Sequence, residues 1–312
     1  MCALKHLSAV SESTGPSYLE RGVIGESEES PPVPGIHIVT DSSCDLAEHE
    51  IELLDVDIVP LSIRFGDDEF TDRRDVSVDD FYRRMANSDD LPQTACPSPG
   101  AFEHAFRHAG DSGADAVVCL NISSDLSNTL QSAQTAAAAF AGRLPIHVID
   151  SRSVSSGLGT LVLEAAKVAG DGADADSVLG RVGDLIPRTH VLAALNTLEN
   201  LKKGGRIGGA KAMVGSLLSI KPLIDISGGV VQEAGKARTR MRAMQMLYDH
   251  MIDAGSIEHV AVMHGGAPDI DQFLDLIAPR FPRKALRVGQ LGAVIGAHGG
   301  AEILGVSWVA AA

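Results

Sequence analysis

An α/β fold is predicted for this chain: a mainly parallel sheet flanked by helices in an N-terminal domain, then a mixed α+β C-terminal domain. Three observations predict it. At 312 residues the chain is long enough for two domains of ordinary size. Between Ile36 and Gly170, short apolar runs alternate with helix-period segments, the rhythm of a parallel sheet covered on both faces. Beyond the polar stretch DGADAD (171–176) that rhythm loosens and a hairpin signal appears, the mark of mixed strand directions.

Residues 1–35 are rich in Ser, Glu, Gly and Pro and read as a flexible extension with little to bury. The first domain is placed at 36–171. IHIVTD (36–41) is a short buried strand and IVPLSIRF (58–65) is strand-like. VSVDDFYRRM (76–85) is helical, with Ser77 as cap and Asp79 and Asp80 in its first turn. PGAFEHAFRHAG (99–110) is a helix opened by Pro99 and stopped by Gly110. ADAVVCLNI (114–122) and PIHVID (145–150) are strands around an Ala-rich helix, LSNTLQSAQTAAAAF (126–140), and GLGTLVLEAAKVAG (157–170) is an apolar-faced helix. The second domain is placed at 172–312, with the ligand at the interface. It holds strands in HVLAALNT, a hairpin turning at Ser227-Gly228-Gly229, a helix near 240–254, the strand IEHVAVMH (257–264) and a further helix–strand pair.

Hydrophobic residues are 45% and charged residues 21%, which supports a core in each domain and excludes collagen, coiled coil and wholesale disorder. Acidic residues outnumber basic ones 41 to 26, giving a formal charge of -15. That field repels phosphate backbones and anionic lipid, so no nucleic-acid partner and no stable membrane insertion are expected. Four scattered cysteines with no CxxC pair argue against a disulfide framework or a zinc ribbon. With no spanning apolar run and no secretory signal, the sequence reads as a soluble, cytoplasmic chain.

Most enzyme signatures fail. GGRIGGAK (204–211) lacks the Gly-Lys-Ser/Thr ending of a phosphate loop, and there is no GxSxG elbow and no HExxH. His104 and His108 stand one helical turn apart, but no third ligand is evident beside them, and a solvated helix face accounts for the pair. The acidic pairs Asp67-Asp68, Asp79-Asp80 and Asp89-Asp90 read as loop and helix-start residues. No catalytic residue, metal or cofactor is assigned.

What remains is a set of hydroxyl-rich turns at strand ends: VTDSSCDL (39–46), QTACPSPGAF (93–102), SSDLSNTLQSA (123–133) and DSRSVSSGLGT (150–160). In an open parallel sheet, ligands bind beyond the C-terminal strand ends, where hydroxyls and helix N–H groups form a neutral cradle for an anion. Each such turn alone is also an ordinary helix cap.

Taken in order, and continued by TLENLKKGGRI (197–207), GSLLSIKPLI (215–224), KARTRMRA (236–243) and VIGAHGGAEILGV (294–306), these segments closely resemble the DegV family of fatty-acid-binding proteins. The resemblance implies a two-domain fold that holds a long-chain fatty acid between its domains. It also implies a partner, an ATP-dependent fatty-acid kinase that phosphorylates the acyl carboxylate for phospholipid synthesis; the binding protein is not itself an enzyme. Carried over by motif, the carboxylate falls to Thr94, to Ser127 with its neighbour Asn128, and to His298, while Arg206 and Arg238 match positions that engage the kinase. The sequence departs from the family at Cys96, where Gln is usual, and at Asn128, where Gly is usual. Asn tolerates left-handed backbone better than most residues, which would keep that turn. GAHGGAEILG also replaces a turn commonly written THTGPGALG.

Physical chemistry sets what such a site must do. About 14 buried methylenes at ~0.8 kcal/mol each contribute on the order of 11 kcal/mol gross, much of it offset by ordering and association. The carboxylate must be hydrogen-bonded, because a bare desolvated anion costs several kcal/mol or more. Hydroxyl donors would hold it without the tight pairing of a bidentate Arg. The alternative reading is an enzyme acting directly on a small polar substrate in a wet interdomain cleft. A third keeps the fold without the kinase partnership.

Overall fold

What each strand must bury decides its place in the computed structural model, which describes residues 35–88, 90–213 and 220–312. The extension expected over 1–34 and residues 215–219 of GSLLSIKPLI lie outside the described residues. Four strands form an all-parallel sheet in the order β2-β1-β6-β7: β1 (Ile36–Asp41), β2 (Val56–Val59), β6 (Ala116–Asn121) and β7 (Ile146–Asp150). Every residue of β6 is buried, as expected for a central strand covered on both sides.

The two faces are dressed by different helices. Ile38, Val118 and Leu120 face α1 (Glu48–Leu54), α5 (Ser156–Gly170) and α6 (Ala175–Leu185). Val39, Val117 and Cys119, one residue out of phase, face α3 (Pro99–Asp111) and α4 (Thr129–Ala138). The mainly parallel sheet with helices on both faces is therefore the fold expected from the sequence.

The run 58–65 is not one strand. Pro60 has no N–H to give a ladder, so β2 ends at Val59 and the chain restarts as β3 (Ser62–Phe65) in another sheet. There β3 pairs antiparallel with β4 (Asp68–Thr71) and β5 (Gln93–Ala95). Between them runs α2 (Val78–Asn87), whose cap Ser77 accepts from Asp80 N as its sequence indicates.

The polar stretch 171–176 contains a cap that the sequence reading overlooks. Asp174 accepts from Ser177 N at 2.9 Å and starts α6, which sends Val178, Val182 and Leu185 into the core shared with α5. The remaining strands form a mixed sheet in the order β10-β9-β8-β13-β11-β12. They are β8 (Thr189–Ala194), β9 (Lys221–Asp225), β10 (Gln232–Ala237), β11 (Ile257–His264), β12 (Arg287–Gln290) and β13 (Leu304–Ala310). Only the β11–β12 pair is parallel. The expected hairpin joins β9 and β10, with Gly228 and Gly229 at φ 77° and 89°. One face is covered by α8 (Arg240–Asp253) and α9 (Ile270–Ile277), packing Met244, Leu247 and Phe273 around Trp308. The short helices α7 (Glu199–Lys203) and α10 (Ala293–Gly299) lie on the way to the site.

Helix α5 touches both large sheets, with β1 and β6 on one side and β8, β11 and β13 on the other. Its glycines explain how it fits. A Cβ on Gly157 would stand 2.2 Å from Ser153 Oγ and 2.5 Å from Val191 Cγ2, and one on Gly159 would stand 2.6 Å from the Cys44 carbonyl. The Ser156 and Ser307 hydroxyls meet at 2.7 Å, and Arg287 of β12 donates to the Ser156 carbonyl at 2.8 Å. No described helix is long and apolar enough to cross a membrane. Gly157→Ala is expected to lower stability by about 1–3 kcal/mol through overpacking. Urea unfolding measures this, and an unchanged midpoint would mean that α5 shifts freely between the sheets.

Candidate functional site

The parallel strands end in loops that are fastened to one another by a buried carboxylate. Asp41, the last residue of β1, accepts from Ile122 N at 2.8 Å and Asn121 Nδ2 at 3.3 Å through one oxygen. Its other oxygen accepts from Ser43 N at 3.1 Å and from the Ser43 hydroxyl. Burial pushes the Asp41 carboxyl up, and these donors oppose the shift. The loop after β6 is thereby set, and it is tied down again from outside. Ser123 Oγ donates to the Gly229 carbonyl at 2.7 Å, while Arg152 bridges Asp125 and the Gly228 carbonyl.

This loop carries Ser127 into the wall of an apolar cavity. Leu61, Ile122, Leu201, Ile226, Val294 and Ile303 supply apolar wall, and Thr94, Ser127, Arg206 and His298 supply the polar part. Leu126, Ile226 and Ile295 pack against more than one core cluster, so the cavity lies where separate cores meet. A second, polar cleft shares Thr94, Arg206 and His298 and adds Asp90, Asn200 and Lys203. The three shared residues therefore stand between apolar and polar space.

Thr94 and His298, 204 positions apart, meet side chain to side chain: Thr94 Oγ1 is 2.9 Å from His298 Nε2. Strand β5 holds Thr94 opposite Ile63, and α10 holds His298 near its C-terminal end. Burial, and then the nearby positive charge of Arg206, push the imidazole down to about 4, so it is neutral at pH 7. Its Nδ1 is buried without a partner beside Gly204, where a Cβ would stand only 2.5 Å away. In the Nε2–H tautomer the ring donates to Thr94, which frees the Thr94 O–H to donate into the cavity.

Two further groups fix this corner. Arg206 donates from Nε to the Leu126 carbonyl at 3.0 Å and from Nη1 to the Gly204 carbonyl at 2.7 Å, joining the Ser127 loop to the end of α7. Asp45, which no sequence motif marks, anchors α10. It accepts from Gly292 N, at the N-cap of α10, at 3.0 Å and from Ser155 Oγ at 2.6 Å. Burial raises its carboxyl to about 7. The only signal for it lay within VTDSSCDL, which reads as ligand-facing hydroxyls and is instead scaffold. Ser42 accepts from Leu61 N, Ser43 serves Asp41 and Ser155 serves Asp45. Of the four hydroxyl-rich turns, only the second and third place hydroxyls on the cavity.

Asn128 differs from expectation. Its backbone is at φ −78°, not left-handed, so no glycine-like residue is required there, and its exposed side chain is outside the lining of both cavities. Ser127 Oγ lies 2.8 Å from Thr129 Oγ1, at the start of α4. Arg238 is exposed between β10 and α8 and lines neither cavity. Lys203 lines the polar cleft and pairs with Glu199 at 2.8 Å.

Fold and site together define a class: an α/β protein in which an apolar cavity ends on hydroxyls and a neutral imidazole below a polar cleft. The family described as "Uncharacterised protein, DegV family" matches residues 35–311, and the chain belongs to the DegV family. A DegV domain-containing protein of Halalkalibacterium halodurans is 32% identical over 279 residues, covering 88% of this chain and 98% of its own. A solved DegV family protein from Thermus thermophilus, described by its fatty acid binding, is 32% identical with a TM-score of 0.81 over 89% of this chain and 100% of that one. DegV of Bacillus subtilis, described as a fatty acid binding protein, is 25% identical with a TM-score of 0.79 over 89% of this chain and 100% of its own.

Asp45 makes stability depend on pH. Its carboxyl is near 3.8 when unperturbed and about 7 when folded, so the folded state holds the proton more tightly. Its contribution is full below about pH 4, declines as pH rises and is gone once pH passes about 7; at most it is on the order of 4 kcal/mol. Asp45→Asn can still accept from Gly292 N through Oδ1 and can donate from Nδ2 to Ser155 Oγ, so the urea-unfolding free energy of the variant should vary less between pH 4.5 and 7.5 than that of wild type. Identical profiles would remove Asp45 as the source.

Proposed function

We propose that this chain binds a long-chain fatty acid with its alkyl chain in the apolar cavity and its carboxylate at Thr94, Ser127 and His298. In this reading the cavity lies between domains 36–171 and 172–312, and the carboxylate is presented through the polar cleft to a separate ATP-dependent fatty-acid kinase. A carboxylate oxygen attacks the γ-phosphorus of ATP on that partner, ADP leaves, and an acyl-phosphate forms for phospholipid synthesis in the cytoplasm. The chain itself contributes binding and orientation and needs no cofactor.

The observation that carries the reading is the meeting of apolar wall with a neutral, donor-bearing end at Thr94 and His298. An anion there receives hydrogen bonds from hydroxyls and lies close to the Arg206 charge, without a buried carboxylate lining the cavity to repel it. Asn128, exposed and outside the lining, has no place in this carboxylate site. Arg206 and Arg238 are assigned to kinase engagement, and Arg206 also clips the Ser127 loop.

The polar cleft is the one feature that favours the alternative, direct action on a small substrate. Thr94 and His298 do form a hydroxyl–imidazole pair, but an imidazole titrating near 4 is a weak base at pH 7 and its Nδ1 has no orienting partner. Such a pair is not an activated nucleophile.

Non-denaturing mass spectrometry followed by organic extraction tests the reading. The purified protein is expected to carry about one fatty acid. Thr94→Ala with Ser127→Ala should empty it, since hydrogen bonds to a charged group contribute roughly 1.5–3 kcal/mol each. Arg238→Ala should retain the lipid but fail as a kinase substrate, whereas Arg206→Ala should fail as a substrate and also hold the lipid more weakly, because Arg206 lines the cavity and clips the Ser127 loop. A protein that stays empty when offered a panel of fatty acids would overturn the lipid reading.

A further inference from the structure

Away from both cavities, the structure gathers three side chains that the sequence keeps far apart. His37 is the second residue of β1, Asp57 is the second residue of β2, and His108 lies in α3, which packs on the same face of the sheet. The register sets Val39 opposite Asp57, so His37 and Asp57 are diagonal neighbours. His37 Nε2 is 3.1 Å and His108 Nδ1 2.9 Å from the same oxygen, Asp57 Oδ2, and the three donor atoms lie within 4.8 Å of one another. Parallel strands begin here, so the cluster is at the opposite end of the sheet from the crevice that carries Ser127. None of the three lines either cavity.

Sequence spacing puts His104 one turn from His108 on α3 with no third ligand beside them; the fold joins His108 to two residues of the sheet instead, and His104 is not in the cluster. We propose that His37, Asp57 and His108 form a binding site for a divalent transition-metal ion that clamps α3 to the β1–β2 edge. Two ligands of a tetrahedral zinc ion at about 2.0–2.1 Å stand roughly 3.4 Å apart. The gaps of 3.1 and 2.9 Å are therefore within a few tenths of an ångström of an opened site. A metal would replace two hydrogen bonds that crowd onto one carboxylate oxygen.

Charge and access agree with this assignment. His37 is largely buried, with 11% of its side chain exposed, which limits its freedom. Asp57 and His108, at 30% and 58%, leave an entry path and room for water on the ion. Asp55 and Asp111 lie close enough to act on His108 alongside Asp57, and Asp57 also meets His37, so the local charge favours a cation. Two nitrogens and one carboxylate oxygen suit Zn²⁺, Co²⁺, Ni²⁺ or Cu²⁺ rather than Mg²⁺ or Ca²⁺, which take oxygen ligands.

Titration of the full chain with Co²⁺, followed by its visible d–d absorption and by competition with Zn²⁺, tests the site. One equivalent is expected, with no thiolate-to-cobalt charge-transfer absorption that would betray cysteine ligation. His108→Ala and Asp57→Asn should each weaken binding by more than the roughly 10–100-fold that loss of an outer-sphere partner costs, with unchanged circular dichroism. His104→Ala should leave binding intact. No saturable Co²⁺ uptake by the wild-type chain, uptake that persists in both ligand variants, or equal loss in His104→Ala would overturn the proposal.

Discussion

A carboxylate removed from water must find its hydrogen bonds within the protein or destabilise it by several kcal/mol. Asp41 meets that requirement with groups from two loops: two donors from Ser43, the backbone N–H of Ile122 and the side-chain amide of Asn121. The ends of β1 and β6 are thereby locked, and the turn that follows β6 has little freedom left. Ser127 inherits its position from this lock. Asp45, a few residues later, performs the same service for α10 and hence for His298. Two aspartates near the first strand thus place both halves of the cavity's polar end, although neither lines it.

Around that end, charge is kept low. The imidazole is held neutral by burial and by Arg206, and Arg206 is itself engaged with the carbonyls of Leu126 and Gly204. An anion entering such a corner meets dipoles and one partly engaged cation rather than a committed ion pair. Under the proposed function, this grips a carboxylate firmly enough to orient it and leaves its oxygen electrons available. The surrounding cores contribute the apolar surface, and the polar cleft meets it at Thr94, Arg206 and His298.

The parallel sheet was legible because its strands are short apolar runs, most plainly the central one, Ala116–Asn121, which is buried throughout. The DegV resemblance likewise matches the family to which the chain belongs. What the residues hid has physical causes. Pro60 divides one apolar run between two sheets, and a missing N–H is a single-residue event inside a convincing pattern. Helix α6 was masked by its acidic start, although Asp174 followed by Val178, Val182 and Leu185 carries both cap and helical spacing. Strands of three or four residues such as β4 and β5 are too short to show a period. The meeting of Thr94 with His298, and of His37 with Asp57 and His108, depends on tertiary packing that local spacing does not encode. Asn128 shows the converse: a residue type apt for a special conformation, in a turn that does not need one.

Helix α5 has one side against each large sheet, and the core around it includes Val191 and Val309 from the second sheet beside Ile38 and Val118 from the first. Cutting the chain after Gly170 would expose apolar surface on both fragments, so the halves are not interchangeable parts. How closely the two sheets approach each other is thus set at Gly157 and Gly159, where one added methyl would already press on atoms from both sides.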